Sequence, residues 1–273
     1  MSSGYLYVAN QRKFINEAIV SAKSVKLYSN LPIALVTTLE LVDDEIKQFF
    51  DETIVIAELK EHTYLSKIIG VQNSPFDNTI FLDSDTFVCS DISELFDLMN
   101  IVDIATTQEV KKHTHQFSGM SFKNIFPEFN SGVIVFRKNE ITTKIFKDWL
   151  QICIDLKIRI DMPGLREAIL KNIDRVKFSI IPEEYNSHGY KTMVIINGEV
   201  KVIHERLGES MKTVTPFFES FEKMEKFAKK INRLHYKRLY VPYIGIIPYR
   251  YSPSNLIYKL KRILGVKRTP KNY

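Results

Sequence analysis

The sequence predicts an α/β fold, strands alternating with helices into a sheet with flanking helices, followed by a basic C-terminal helical or extended appendage. Three observations predict it. Short apolar runs alternate with segments whose apolar residues recur at helical spacing. One apolar run ends directly on Asp83-Ser84-Asp85, and sheets of this kind bind ligands beyond the carboxyl ends of their strands. Charge is also divided along the chain. Thirteen of the 38 Lys and Arg but none of the 32 Asp and Glu lie at 226–273, so the preceding 225 residues carry 25 cations against 32 anions.

Residues Tyr5 to Ala9 read as the first strand, and Phe14, Ile15, Ala18, Ile19, Ala22, Val25 and Leu27 recur at helical spacing as the face of a helix. Ile33 to Val36 and Thr53 to Ala57 read as strands around a helix at Leu41 to Phe50. Tyr64 to Val71 is a short helix, and Thr79 to Leu82 is the strand that delivers the acidic pair. Asp91 to Leu98 reads as a helix with Asp91 as N-cap. Val102 to Thr106 and Ser131 to Phe136 are strands, the second entered through Asn130-Ser131-Gly132. Ile141 to Leu156 is an amphipathic helix containing Trp149, the one tryptophan. Short strands follow at Phe178 to Ile181, Met193 to Ile196 and Val200 to Ile203, the last two expected to form a hairpin at Asn197-Gly198. The main domain is expected over 1–215 and the appendage over 216–273.

A chain of 273 residues with 45% hydrophobic and 26% charged residues suits one sizeable globular domain and excludes disorder throughout. Cys89 and Cys153 sit in apolar runs without metal-type spacing, and are expected as buried thiols. The first ten residues do not read as a secretory leader, because the basic pair Arg12-Lys13 follows the apolar stretch. No window is long and apolar enough to span a bilayer. A cytoplasmic protein, peripheral on the inner face of the membrane, is the expectation.

Two carboxylates one residue apart, just past a strand, reach one small volume above the sheet edge. Hard divalent cations prefer such oxygen ligands and bridge them to phosphate oxygens. A bare D-x-D is common in surface turns, so its position and flanks carry the weight. The stretch Pro75 to Leu98, PFDNTIFLDSDTFVCSDISELFDL, resembles the central motif of GT-A nucleotide-diphospho-sugar glycosyltransferases, in particular the family 8 galactosyltransferase and glycogenin-like group. The resemblance extends in islands over about the first 210 residues, and includes Phe129 to Phe136 (FNSGVIVF), Ile181-Pro182 with Tyr185-Asn186, and Val202-Ile203-His204.

The resemblance implies a GT-A, Rossmann-like mixed sheet and a glycosyltransferase moving a sugar from a nucleotide-sugar, with UDP as the nucleotide, to a glycan or lipid-linked acceptor. It implies Mn²⁺ or Mg²⁺ held by Asp83, Asp85 and His204. It places Val8, Ala9 and Asn10 at the base and ribose, and Lys67, Ser84, Asn130, Ser131, Gly132 and Asn186 near the donor. Gly208 and Lys212 fall in the segment after the metal-site histidine. Asp161 and Leu165 match an Asp-Gln-x-x-Leu segment in which Met162 stands for the glutamine, and the Pro-Trp that usually follows the Gly and Lys is missing.

Each residue also has a plainer reading. Asp83 and Asp85 also suit a solvated turn, and His204 a hydrogen-bonded core position. Asn130-Ser131-Gly132 also suits a strand-entry turn, with Gly132 admitting close backbone approach. Asp161 binds sugar hydroxyls or assists catalysis, or else N-caps a helix beginning at Met162-Pro163. Glu183 or Glu184 offers a general base for an inverting transfer, whereas retention needs a close group on the donor's other face, and the sequence leaves both open. His113 and His115 lie in a polar stretch expected to form a loop over the site.

The tail carries seven of the thirteen tyrosines, and its Asn255 to Leu264 segment sets Leu256, Ile257, Leu260, Ile263 and Leu264 opposite Lys259, Lys261 and Arg262. That pattern suits an in-plane helix on an anionic membrane surface. Packing against the main domain is the plainer alternative, and no nucleic acid is expected. Three rival functions are weaker. A haloacid-dehalogenase-like phosphatase places its acidic pair after the first strand, and needs Thr or Val where Phe87 stands. A sugar-nucleotide pyrophosphorylase wants a Gly-rich loop where Asn10-Gln11-Arg12-Lys13 stands. A carbohydrate-binding module is the non-enzymatic alternative.

Overall fold

The computed structural model describes residues 1–60, 64–109, 126–158, 160–187, 195–196, 199–204, 221–232, 238–241 and 245–248. Its first half runs β1 (Ser3–Val8), α1 (Arg12–Lys26), β2 (Ile33–Thr37), α2 (Asp44–Phe49), β3 (Glu52–Val55), α3 (Tyr64–Gln72), β4 (Asn78–Leu82), β5 (Thr86–Val88) and α4 (Glu94–Leu98). There follow β6 (Ile104–Glu109), β7 (Glu128–Arg137), α5 (Glu140–Asp155), α6 (Asp161–Lys171) and β8 (Phe178–Ile180). The last elements are β9 (Ile195–Ile196), β10 (Val202–His204), α7 (Phe221–Asn232), β11 (Arg238–Val241) and β12 (Gly245–Pro248).

Seven strands form a mixed sheet in the order β3-β2-β1-β4-β7-β6-β8. Strands β3, β2, β1 and β4 are mutually parallel, β7 is antiparallel to both β4 and β6, and β8 is parallel to β6. The α/β, GT-A-like mixed sheet expected from the sequence is therefore present. Both faces are buried, which is why β1 reads as an unbroken apolar run. Tyr5 and Tyr7 join the core under α1, α2 and α4, whereas Leu6 joins the core under α3, α5 and α6. Cys89 and Cys153 are free, buried thiols. Burial pushes both thiols up, Cys153 to about 12.

Local details depart from the sequence reading for identifiable reasons. The helix expected from Leu41 is split, because Asp43 takes an extended conformation and accepts the Ile46 N–H at 3.0 Å, starting α2 at Asp44. Asp91 does not N-cap α4. Its Oδ1 accepts the Ser93 N–H at 2.8 Å, and Ser93 is the cap position. Among the described residues, Ile195–Ile196 and Val202–His204 belong to different sheets rather than to the expected hairpin. Strand β9 pairs with β11, while β10 pairs antiparallel with β5, a short strand the sequence reading missed. Asn197-Gly198, the loop with His113 and His115, and the amphipathic segment Asn255 to Leu264 lie outside the described residues.

A smaller third core seats α7 on β5 and β10. Met224 and Ala228 pack among Phe87, Cys89, Val200 and Ile203. Asn232 closes the contact by accepting the Val200 N–H at 3.0 Å and donating to the Val200 carbonyl at 2.9 Å. Among the described residues no helix is long and apolar enough to cross a membrane.

Helices α5 and α6 are tied at one end by Asp148, which accepts from Lys144 at 2.7 Å, Lys171 at 2.8 Å and Asn172 at 2.9 Å. Burial works against the ionised form, but the bonds from Asn172, Lys144 and Lys171 outweigh it and hold this carboxyl down to about 2. A depressed folded value contributes stability above the unfolded value of about 3.9, lost as pH falls through about 2. Asp148→Ala is expected to lower the unfolding free energy by about 2 kcal/mol at neutral pH. In urea titrations the difference from wild type should shrink as pH drops below about 4.

Candidate active site

Strand β4 ends at Leu82, and the turn that follows is set by its own backbone. The Asp83 N–H donates to the Gly132 carbonyl of β7 at 2.8 Å, and the Asp83 carbonyl accepts from the Thr86 N–H at 3.1 Å and its hydroxyl at 2.8 Å. The Thr86 hydroxyl also meets Ser21, and Ser21 meets Tyr7, each at 2.8 Å. This buried chain of hydroxyls ties the acidic turn to α1 and β1. Ser84 Oγ donates to Glu17 of α1 at 3.2 Å, so its side chain braces the turn.

Pairing of β5 with β10 sets His204 opposite Thr86, one residue from Asp85. His204 Nε2 lies 3.3 Å from Asp85 Oδ1 and 3.5 Å from Asp83 Oδ2. One ligand atom from each of Asp83, Asp85 and His204 falls within 4.8 Å of the others. Asp85 and His204 are buried.

Lys67 of α3 crosses beneath the acidic pair. Its Nζ sits 2.7 Å from Asp83 Oδ2, 3.4 Å from Asp161 Oδ2, 3.1 Å from Ser131 Oγ and 3.2 Å from the Ser131 carbonyl. Ser131 Oγ donates to Asp161 Oδ2 at 2.5 Å. Asp161 is therefore not an N-cap. It is the first residue of α6, and the fully buried Trp149 indole donates to its carbonyl at 2.8 Å, fixing where the helix starts.

Among the described residues, three carboxylates, Asp83, Asp85 and Asp161, gather around one ammonium, that of Lys67. Desolvation alone would lower the Lys67 value, but Asp161, Asp83 and Asp85 together raise it. Asp83 moves upward too, because burial outweighs the help of Lys67 and His204 and because Asp85 repels it. Two carboxylates and an imidazole, in surplus negative charge, suit a divalent cation such as Mn²⁺ or Mg²⁺.

Strand β7 shapes the floor. Its pairing with β6 jumps from Thr106↔Ile134 to Thr107↔Asn130, so Ser131, Gly132 and Val133 bulge from that ladder. The bulge turns Ser131 toward Lys67 and Asp161 and sets Gly132 against His204. A Cβ on Gly132 would lie 2.0 Å from His204 Cε1 and 2.3 Å from its Nδ1. The glycine therefore makes room for the imidazole, a role the sequence reading did not give it.

The other sequence-predicted residues take distinct places. Asn130 and Asn186 are buried behind His204, whose Nδ1 is 2.8 Å from Asn186 Oδ1. Val8 and Ala9 end β1, and Asn10 donates to the Leu59 carbonyl at 2.6 Å and to Ser66 at 3.2 Å, holding that strand end to α3. Glu183 and Glu184 open a 3₁₀ turn leading to Asn186. Gly208 and Lys212 lie outside the described residues. Missed by the sequence reading are Thr107 and Glu109, which bond to Asn186 and Asn130 at 2.8 and 2.7 Å. Their only sequence signal is a polar end to an apolar strand.

The profile of Glycosyl transferase family 8 matches residues 9–236. No curated protein matches the chain by sequence. Solved structures share the fold. The galactosyltransferase LgtC, in complex with donor and acceptor sugar analogs, superposes with a TM-score of 0.58 at 14% identity over 84% of this chain and 96% of its own. The glycosyltransferase GlyE of Streptococcus pneumoniae gives 0.57 at 13% identity over 100% of this chain and 66% of its own. The bifunctional WbbM gives 0.55 at 16% over 85% of this chain and 52% of its own. The chain thus has the fold of the GT-A glycosyltransferases, and the acidic site lies past the carboxyl end of β4, where open α/β sheets bind ligands. It belongs to glycosyl transferase family 8 and is a glycosyltransferase, which sets aside the phosphatase, pyrophosphorylase and carbohydrate-module readings.

The Gly132–His204 contact gives a double-mutant test. Gly132→Ala is expected to cost about 1–3 kcal/mol through overpacking. In the His204→Ala background most of that cost should disappear, the difference being the coupling energy of two residues in contact. Urea denaturation of the four proteins measures both.

Proposed function

We propose that the enzyme transfers a sugar from a nucleotide-sugar donor, with UDP as the nucleotide, to a glycan or lipid-linked acceptor, and that it requires Mn²⁺ or Mg²⁺. The observation that carries this reading is the convergence of Asp83, Asp85 and His204 past the carboxyl end of β4. A divalent cation held there neutralises the diphosphate charge that develops as the bond to the sugar breaks. The donor and acceptor analogs bound by LgtC support the same substrate class.

The chain's own residues divide the remaining work. Lys67 holds Asp83 and Asp161 in place through contacts at 2.7 and 3.4 Å, so the acidic groups are oriented before the donor arrives. Asp161 and Ser131, joined at 2.5 Å beside Lys67, form the polar wall that hydrogen-bonds the donor sugar's hydroxyls. Val8, Ala9 and Asn10, at the end of the neighbouring strand β1, bind the base and ribose. If the transfer inverts configuration, Glu183 or Glu184 takes the acceptor's proton.

The basic, tyrosine-rich C-terminal segment, 216–273, brings the enzyme to an anionic membrane surface, where a lipid-linked acceptor resides. This reading rests on the sequence pattern of Asn255 to Leu264. Changing Lys259, Lys261 and Arg262 together to Gln in the full chain should weaken binding to anionic liposomes about a hundredfold, at about 1 kcal/mol per charge. Unchanged sedimentation with such liposomes would remove the membrane reading.

Calorimetry of UDP binding with and without Mn²⁺ tests the donor site. Binding should require the metal in wild type and be lost in Asp85→Ala. Metal-independent binding, or binding retained in the variant, would refute the assigned metal role.

A further inference from the structure

Behind His204 lies a buried chain of polar groups whose direction is fixed at both ends. At one end the backbone N–H of Gly132 donates to Asn130 Oδ1 at 2.8 Å, so this atom is the acceptor of the Asn130 amide. The Asn130 nitrogen then points the other way, donating to Glu109 Oε2 at 2.7 Å, and a carboxylate is the partner an amide N–H₂ needs. Because Asn130 Oδ1 only accepts, the group 2.8 Å from it must be the Asn186 nitrogen, which also donates to Thr107 Oγ1 at 2.8 Å. The Asn186 oxygen is thereby turned to His204 Nδ1, 2.8 Å away. An oxygen acceptor there requires the proton on Nδ1 and leaves the lone pair of a neutral ring on Nε2. Nε2 is the atom that faces Asp83 and Asp85.

We propose that Glu109, through Asn130 and Asn186, is a positioning residue that fixes His204 as the Nδ1–H tautomer and so presents Nε2 as a ready metal ligand. The inference rests on the metal-site reading but concerns a residue outside the Asp83, Asp85 and His204 cluster. Glu109, Asn130 and Asn186 are all buried, so water does not compete for these bonds on equal terms. The β7 bulge supplies both the Gly132 N–H that anchors the relay and the gap in which the ring sits. Partners of this kind behind a metal-ligating histidine set ring orientation, and losing one typically costs about ten- to a hundredfold in metal affinity.

The test is a long-range ¹H–¹⁵N spectrum of the metal-free, full-length chain labelled with ¹⁵N-histidine, in alkaline buffer. The His204 signals are identified by their loss in His204→Gln. Wild type should show a protonated Nδ1 and a bare Nε2 before any metal is added. Glu109→Met should shift the ring toward a tautomer mixture and weaken Mn²⁺ binding by about tenfold or more in calorimetry. Asn186→Asp, which keeps an oxygen facing Nδ1, should retain the wild-type tautomer where Asn186→Leu does not. An Nε2–H ring in wild type overturns the proposal, and that spectrum needs no variant to fold. An unchanged tautomer and unchanged Mn²⁺ affinity in a folded Glu109→Met also overturn it. An Nδ1–H wild-type ring in a protein that binds no Mn²⁺ would refute the metal reading and leave the relay standing.

Discussion

Everything at this site is arranged around an imbalance of charge. Asp83 and Asp85 from one turn and Asp161 from the start of α6 are drawn together, and among the described residues the cation set among them is the ammonium of Lys67. Burying like charges at this spacing is unfavourable, and the upward shift of Asp83 despite its lysine records the cost. The surrounding structure is built to hold the groups against that repulsion. Hydroxyls from α1 brace the acidic turn, Trp149 pins the start of α6, and a strand pair delivers the histidine. Carboxylates gathered in this way suit a divalent cation, and on the proposed reading that is what the preorganisation serves.

Much of the fold was legible because its signals are local. Alternating apolar runs and helical periodicities identified β1 to β4, α1, α3 and α5, since both faces of this sheet are buried and the burial is written residue by residue. The acidic pair was legible because a strand leading straight into D-x-D puts carboxylates where such sheets bind ligands. Other features depend on who pairs with whom. The hairpin expected at Asn197-Gly198 satisfied every local rule, yet β10 found β5 and β9 found β11, choices set by long-range contacts. The helix expected from Leu41 failed on a local competitor, the capping side chain of Asp43.

The same division runs through the site. Lys67, Asp83, Asp85, Asp161 and His204 were all named from sequence, and the structure brings them together. Glu109 was not, because a glutamate after Thr106-Thr107-Gln108 looks like a strand running out into solvent. Gly132 was named with a different role. Its value lies in an absent Cβ facing a ring 72 positions further along the chain, and no window of sequence contains both. Asn130 and Asn186 are similar, chosen as donor contacts by motif but lying end to end in a relay behind the histidine.

The seat of α7 bears on the order in which the enzyme becomes competent during synthesis. The seven-stranded sheet is complete once β8 has been made, and both acidic residues are in place well before then. Strand β10 gains its outer cover and the Asn232 clasp on Val200 only when residues 221–232 have emerged. A chain arrested between β8 and β10 would carry the sheet and the acidic turn while lacking His204. The candidate metal site is therefore finished after the sheet, once the strand that carries His204 has paired with β5.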